Sequence, residues 1–100
     1  MISEKEALEI AERFVAAQCA HVEGGGAIVP EHTIEKSYGW IFFYNSRRYL
    51  ETGNFLEALG GNGPLVVERT DGRINTLSSG KAPEVSIAEF ERVRAGDERP

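Results

Sequence analysis

The side chains that could carry chemistry are few: one cysteine, Cys19, two histidines, His21 and His32, and a scatter of carboxylates. Cys19 and His21 fall two apart on a stretch of helical period, so they are expected roughly 200° apart around its axis, unable to share a substrate or a metal ion. His32 lies on another element. No second cysteine and no HExxH-type spacing completes a transition-metal site. Asp71 sits in a turn sequence, and most other acids are glutamates at helix-surface spacing, so no carboxylate pair stands out for acid or base catalysis. No catalytic, cofactor-binding or metal-binding residue is assigned, and no cofactor is expected.

Two glycine clusters, Gly24-Gly25-Gly26 and Gly60-Gly61-Asn62-Gly63, lack the strand before and the helix N-terminus after that a phosphate cradle requires. Both read as turns, the second with glycines at positive φ. Trp40, Phe42 and Tyr44 share one face of a strand and read as core rather than as a ligand cup. Arg47, Arg48 and Tyr49, just beyond them, are the best local candidates for partner contact, because interfaces favour Arg and Tyr. Exposed glutamates, Glu4, Glu9, Glu12 and Glu57, could add an acidic surround.

The elements that must position these residues follow from periodicity. Ser3 and Glu6 form a capping box that opens a helix, with Ala7, Ile10, Ala11, Phe14, Val15 and Gln18 along one stripe and Gly24 to Gly26 marking its end. A polar edge strand is expected over Glu31 to Lys36, after Pro30, and an apolar central strand, covered on both faces, over Trp40 to Tyr44. Phe55 to Leu59 suggests a helical turn. Leu65 to Glu68 and Arg73 to Leu77 flank Thr70-Asp71-Gly72, a hairpin signal. Ser86 and Glu89 suggest a second capping box, opening a short helix that stops at Gly96.

The expected architecture is α+β: an N-terminal amphipathic helix packed on a four-stranded antiparallel meander, with a short C-terminal helix and both helices on one face. Residues 1–96 are expected to form a single domain and 97–100 a frayed polar tail. The chain has 100 residues, 41% of them hydrophobic and 27% charged, with a formal charge of -5. That charge disfavours nucleic acid and anionic membrane surfaces and leaves a basic partner open. No run approaches the ~20 apolar residues of a membrane span, and Met1 leads into polar Ser3 to Glu6 rather than a signal region, so a cytoplasmic location is expected.

Gly39-Trp40-Ile41-Phe42-Phe43-Tyr44-Asn45-Ser46, then Tyr49-Leu50-Glu51-Thr52-Gly53, then Gly60-Gly61-Asn62-Gly63-Pro64 resemble the signature of the immunity protein 35 family, also called YrhB-like. The opening Ile2 to Ala11 resembles that family's first helix. The resemblance implies a small cytoplasmic protein of a bacterial polymorphic toxin system, which binds and neutralises a cognate toxin domain without catalysis. Arg47, Tyr49, Glu57, Glu9 and Glu12 are the candidate toxin contacts read from this sequence; Trp40, Tyr44, Gly63 and Pro64 read as structural. A chaperone-like or small-ligand-binding housekeeping domain is the alternative. Toxin identity and oligomeric state are not specified by these features.

Overall fold

The computed structural model describes residues 1–60 and 62–97. Helix α1 (Glu4–Gln18) starts at the expected capping box, in which Ser3 Oγ accepts from the Glu6 amide at 3.2 Å and Glu6 Oε1 accepts from the Ser3 amide at 3.0 Å. Its buried stripe is Ala7, Ala11 and Val15, spaced four apart. The small alanines let the helix axis approach the sheet closely. The helix ends at Gln18, with Cys19 as its cap, well before the glycines. Gly24 and Gly25, at φ +82° and +72°, instead turn the chain into the first strand.

That strand, β1 (Gly26–Ile28), begins a long hairpin whose second limb is β3 (Gly39–Phe42) and β4 (Tyr44–Ser46). β1 pairs with β4, and β2 (Ile34–Lys36) with β3. Ile28 faces Tyr44 and Ile34 faces Ile41, so the five residues 29–33 lie opposite only residues 42 and 43. The surplus is taken up by a 3-10 turn over Pro30–His32, because proline's fixed φ favours a turn where the ladder would otherwise continue. The edge strand is therefore shorter than expected, the central strand breaks at Phe43, and β1 and β4 form a separate two-stranded sheet.

The main sheet is the expected antiparallel meander, in the order β2-β3-β5-β6, with β5 (Leu65–Glu68) and β6 (Ile74–Thr76). Gly72, at φ +77°, closes the β5–β6 turn by donating its amide to the Glu68 carbonyl at 2.9 Å, and Asp71 Oδ1 accepts from the Arg73 amide. Register sorts the side chains. Trp40 opposite Val67 and Phe42 opposite Leu65 face α1, while Ile41 opposite Val66 faces the other way.

The second face is covered by α3 (Pro83–Asp97), through Ile87 and Phe90. The two helices thus lie on opposite faces, not on one. α3 is also longer than expected and starts at Pro83, a residue suited to a first helical turn because its missing N–H is needed by no partner there. The Ser86–Glu89 pair is not a capping box. Ser86 Oγ donates to the Ser78 carbonyl at 3.0 Å, and Glu89 is bound by Lys81 Nζ at 2.7 Å. Polar contacts complete the docking of α3: the Tyr38 hydroxyl donates to Glu91 at 3.0 Å, Lys36 pairs with Glu91 at 3.2 Å, and Arg94 pairs with Glu68. Burial, then the hydrogen bond to Glu91, raises the Tyr38 phenol above its ordinary range, so it keeps its proton and remains a donor. Of the expected polar tail, Asp97 ends α3 and residues 98–100 lie outside the described residues.

Candidate functional site

A strand at a sheet edge leaves backbone N–H and C=O groups without partners, and each needs one. On β4 the side chains of Asn45, Ser46 and Asn62 supply them or hold the chain beside them. Asn62 Nδ2 donates to the Tyr44 carbonyl at 2.7 Å. Asn45 Oδ1 accepts from the Ser46 and Leu59 amides, both at 2.8 Å. Buried Ser46 donates its hydroxyl to the Glu57 carbonyl and accepts from the Tyr49 amide, which caps α2 (Arg47–Thr52). The Tyr44-Asn45-Ser46 run is thus a polar latch that ties the segment from Tyr49 to Leu59, and Asn62 beyond it, to the sheet.

Asn45→Ala should cost about 1–3 kcal/mol, since it strips the acceptor from two partly buried amides at once. Amide exchange at Leu59 should quicken with it. Unchanged protection at Leu59 would show that the latch is not what holds the segment.

The latched segment carries three exposed large apolar side chains close together. Gly53, left-handed at φ +71°, ends α2, and Asn54 Oδ1 accepts from the Leu56 amide at 3.0 Å to open a 3-10 turn over Phe55–Glu57. Phe55 is 82% and Leu56 93% exposed, with Leu50 at 42%. Tyr49 lies half-buried beside them, its ring edge-on to Phe55 with centroids 6.4 Å apart. Arg48 bridges Glu23 at 2.7 Å and Glu57 at 3.5 Å, fixing the charged margin. Adjacent bulky apolar side chains held in water by a hydrogen-bonded frame form a ledge that a partner can cover at little cost in chain order.

Four of the five candidate contacts divide between two places. Tyr49 and Glu57 belong to the ledge. Arg47 and Glu12 line a groove of about 330 Å³ between α1 and β1, together with Leu8, Val15 and Ile28, and Arg47 Nη2 donates to the Gly26 carbonyl at 3.3 Å. Glu9 is exposed on α1, a turn away from Glu12, and does not line that groove. Phe55 and Leu56 were absent from the sequence-based candidates. Their signal was two adjacent bulky apolar residues between breakers, with no period that would bury them.

Cys19 is buried, and that burial pushes its thiol up, away from the nucleophilic thiolate. Because α1 stops at Gln18, Cys19 and exposed His21 both reach one hollow of about 170 Å³, which also includes Tyr44 and Leu59. The expectation that helical spacing separates them fails for that reason. His32 stands edge-on to Phe43, centroids 6.3 Å apart. Among the described residues no three His, Cys, Asp or Glu side chains are grouped to hold a metal ion. Among the same residues no helix is long and apolar enough to cross a membrane.

The family model for immunity protein 35 matches residues 5–91, a span that contains α1 but for its first residue, the latch, the ledge and most of α3. A curated relative, "Uncharacterized protein YrhB" of Escherichia coli (strain K12), is 34% identical over 59 residues, which is 59% of this chain and 63% of the relative's length. No solved structure matches the chain significantly. With nearly the whole described fold inside the match, the chain belongs to the immunity protein 35 family.

Proposed function

We propose that this chain binds a cognate toxin domain in the cytoplasm and neutralises it stoichiometrically, by covering a surface the toxin needs, with no chemistry of its own. The observation that carries this reading is the exposed Phe55–Leu56 pair on a segment clamped by Asn45, Ser46 and Asn62. Hot spots favour large, pre-positioned side chains near an interface centre, with a polar rim. Phe55, Leu56 and Tyr49 provide the first, and Arg48 and Glu57 the second. The formal charge of -5, with Glu9 and Glu12 exposed on α1, favours a basic toxin surface, drawn in by long-range attraction, while Arg47 nearby suits an acidic group on that surface. Association should therefore slow as salt rises, while dissociation changes less.

Titration against a candidate toxin domain, sought in the gene neighbouring this one, tests this. Inhibition should saturate at a fixed molar ratio. Leu56→Asp, on a side chain that holds up no core, should leave the melting temperature unchanged and weaken the complex roughly 30-fold to 1,000-fold. Full neutralisation by Leu56→Asp and by Phe55→Asp would remove the ledge from the mechanism, and turnover-like, sub-stoichiometric protection would remove the mechanism itself. Suppressed aggregation of unrelated unfolded proteins, without toxin protection, would favour the chaperone-like alternative.

A further inference from the structure

β1 has one partnered edge. In an antiparallel ladder alternate residues turn their N–H and C=O toward the neighbouring strand. The Arg47 amide donates to the Gly25 carbonyl at 3.0 Å and the Val29 amide to the Phe43 carbonyl at 2.8 Å, so Gly25, Ala27 and Val29 face β4. Gly26 and Ile28 therefore turn their main-chain groups the other way. The Gly26 carbonyl receives the 3.3 Å bond from Arg47 Nη2; the Gly26 amide and both groups of Ile28 bond no described residue. Pro30, the next outward position, has no N–H, which closes the slot after two outward residues.

Beside this slot runs the groove of about 330 Å³, with Leu8, Val15 and Ala16 on its α1 wall. It carries one charge of each sign. Arg47 stands at the Gly26 end, one residue past the Ser46 that pairs with Gly26. Val15 also marks that end, because a Cβ placed on Gly26 would lie 3.0 Å from Val15 Cγ1. Glu12 is about one helical turn nearer the α1 N-terminus, toward Ile28 and Pro30. It takes part in no ion pair among the described residues.

We propose that this slot pairs with the same slot of a second copy of the chain, antiparallel about a two-fold axis at Ala27. Gly26 of each copy then lies opposite Ile28 of the other, two hydrogen-bonded pairs that each exchange two main-chain bonds. The two-fold also brings Arg47 of each copy to the Ile28 end of the other, where Glu12 stands. The guanidinium leaves its long, exposed bond to the Gly26 carbonyl and meets an unpaired carboxylate. An isologous contact needs a self-complementary surface, and one positive and one negative group at opposite ends of a palindromic slot satisfy that condition. An unrelated strand would have to bring the same two charges in the reverse order. Because the contact concerns the free chain, it stands or falls independently of toxin binding at the ledge.

The test is mass by sedimentation at ~0.15 M salt, where the net charges repel little beyond ~8 Å. The chain should sediment as a dimer. Glu12→Arg and Arg47→Glu, both at exposed positions, should each raise the dimer dissociation constant by roughly tenfold or more, and the double reversal should restore it. Amide exchange on the unaltered chain gives a readout that needs no variant: protection of the Gly26 and Ile28 amides should rise with protein concentration, while the Ala27 amide, already in the ladder, should not change. A single-chain mass up to ~1 mM overturns the proposal. So does a dimer indifferent to both reversals, or one dissolved by Leu56→Asp, which would place the contact at the ledge.

Discussion

Trp40→Ala should lower the free energy of unfolding by about 3–5 kcal/mol, the usual loss for deleting a buried large aromatic. Trp40 is 1% exposed, sits opposite Val67 in the middle of the main sheet and packs in the cluster that includes Ala7, Ala11 and Phe42. Its ring also lies under the Arg69 guanidinium, 4.3 Å from the ring centroid. That guanidinium donates to the carbonyls of Lys36 at 2.8 Å and Ser37 at 3.3 Å, and so braces the β2–β3 turn. Losing the ring therefore leaves a cavity under α1 and removes the surface against which Arg69 is set. Against a typical total of ~5–15 kcal/mol, the folded population would shrink severely.

Trp40→Phe separates two contributions. The indole Nε1 is buried without a hydrogen-bond partner among the described residues, a state that itself costs about 1–3 kcal/mol. Phenylalanine gives up volume but removes that orphaned donor, so its loss should be well below that of alanine. Urea unfolding of the three proteins decides the matter. An alanine variant that melts within a degree or two of the parent would mean that the ring is not part of the core.

The main sheet was legible because its signals are local. The continuous apolar run from Trp40 to Tyr44, the apolar run Leu65 to Glu68 and the Asp71-Gly72 turn specify three neighbouring strands without reference to anything distant. Apart from the turn at Pro30, the departures arise outside the local sequence pattern. Ser86 and Glu89 have the spacing of a capping box, but Ser78 and Lys81, brought near by the β6–α3 connection, compete for both side chains and win. α1 stops at Gln18 with Cys19 as its cap, and the glycines serve the turn that follows, an order that periodicity alone does not give. Helices on both faces follow from Ile41 and Val66, whose burial requires a cover that the sequence offers only weakly, through Ile87 and Phe90.

The candidate site was legible only in part, for a related reason. Tyr49 and Glu57 were reachable from residue type. Phe55 and Leu56 were not, because apolar residues are expected inside, and only the latch from Asn45, Ser46 and Asn62 explains how they are held outside. Most of the family-like signature and the exposed Phe55–Leu56 pair are therefore different residues, although Tyr49 and Leu50 belong to both signature and ledge. Tyr44-Asn45-Ser46 fixes the frame, and the frame presents the ledge. Substitution of Phe55 or Leu56 would therefore change the exposed surface without disturbing the latch.

Gly63→Ala should destabilise by about 1–3 kcal/mol, and Gly63→Val by more, through a mechanism different from the one the sequence suggested. Neither Gly60 nor Gly63 has a positive φ. What Gly63 requires is room: a Cβ there would lie 2.1 Å from the Leu77 carbonyl oxygen, 2.9 Å from its carbon and 3.0 Å from the Ser78 carbonyl carbon. Backbone on both sides leaves no flexible side chain to give way. The strand ends must therefore separate where the Leu77 amide donates to the Pro64 carbonyl at 2.9 Å. The displacement should reach α3, because the carbonyl of Ser78 is the acceptor for Ser86 on that helix's first turns. Gly60 supplies the control in the same loop, since a Cβ there meets none of the described residues within 4 Å. Gly60→Ala should leave stability unchanged or raise it by about 0.4–1 kcal/mol, through the lower entropy of the unfolded chain. Urea midpoints of the two alanine variants, with amide exchange at Leu77, provide the comparison. Equal midpoints would mean that the close approach of Gly63 to Leu77 contributes nothing, and a large loss at Gly60 alone would return the loop's glycines to a purely conformational role.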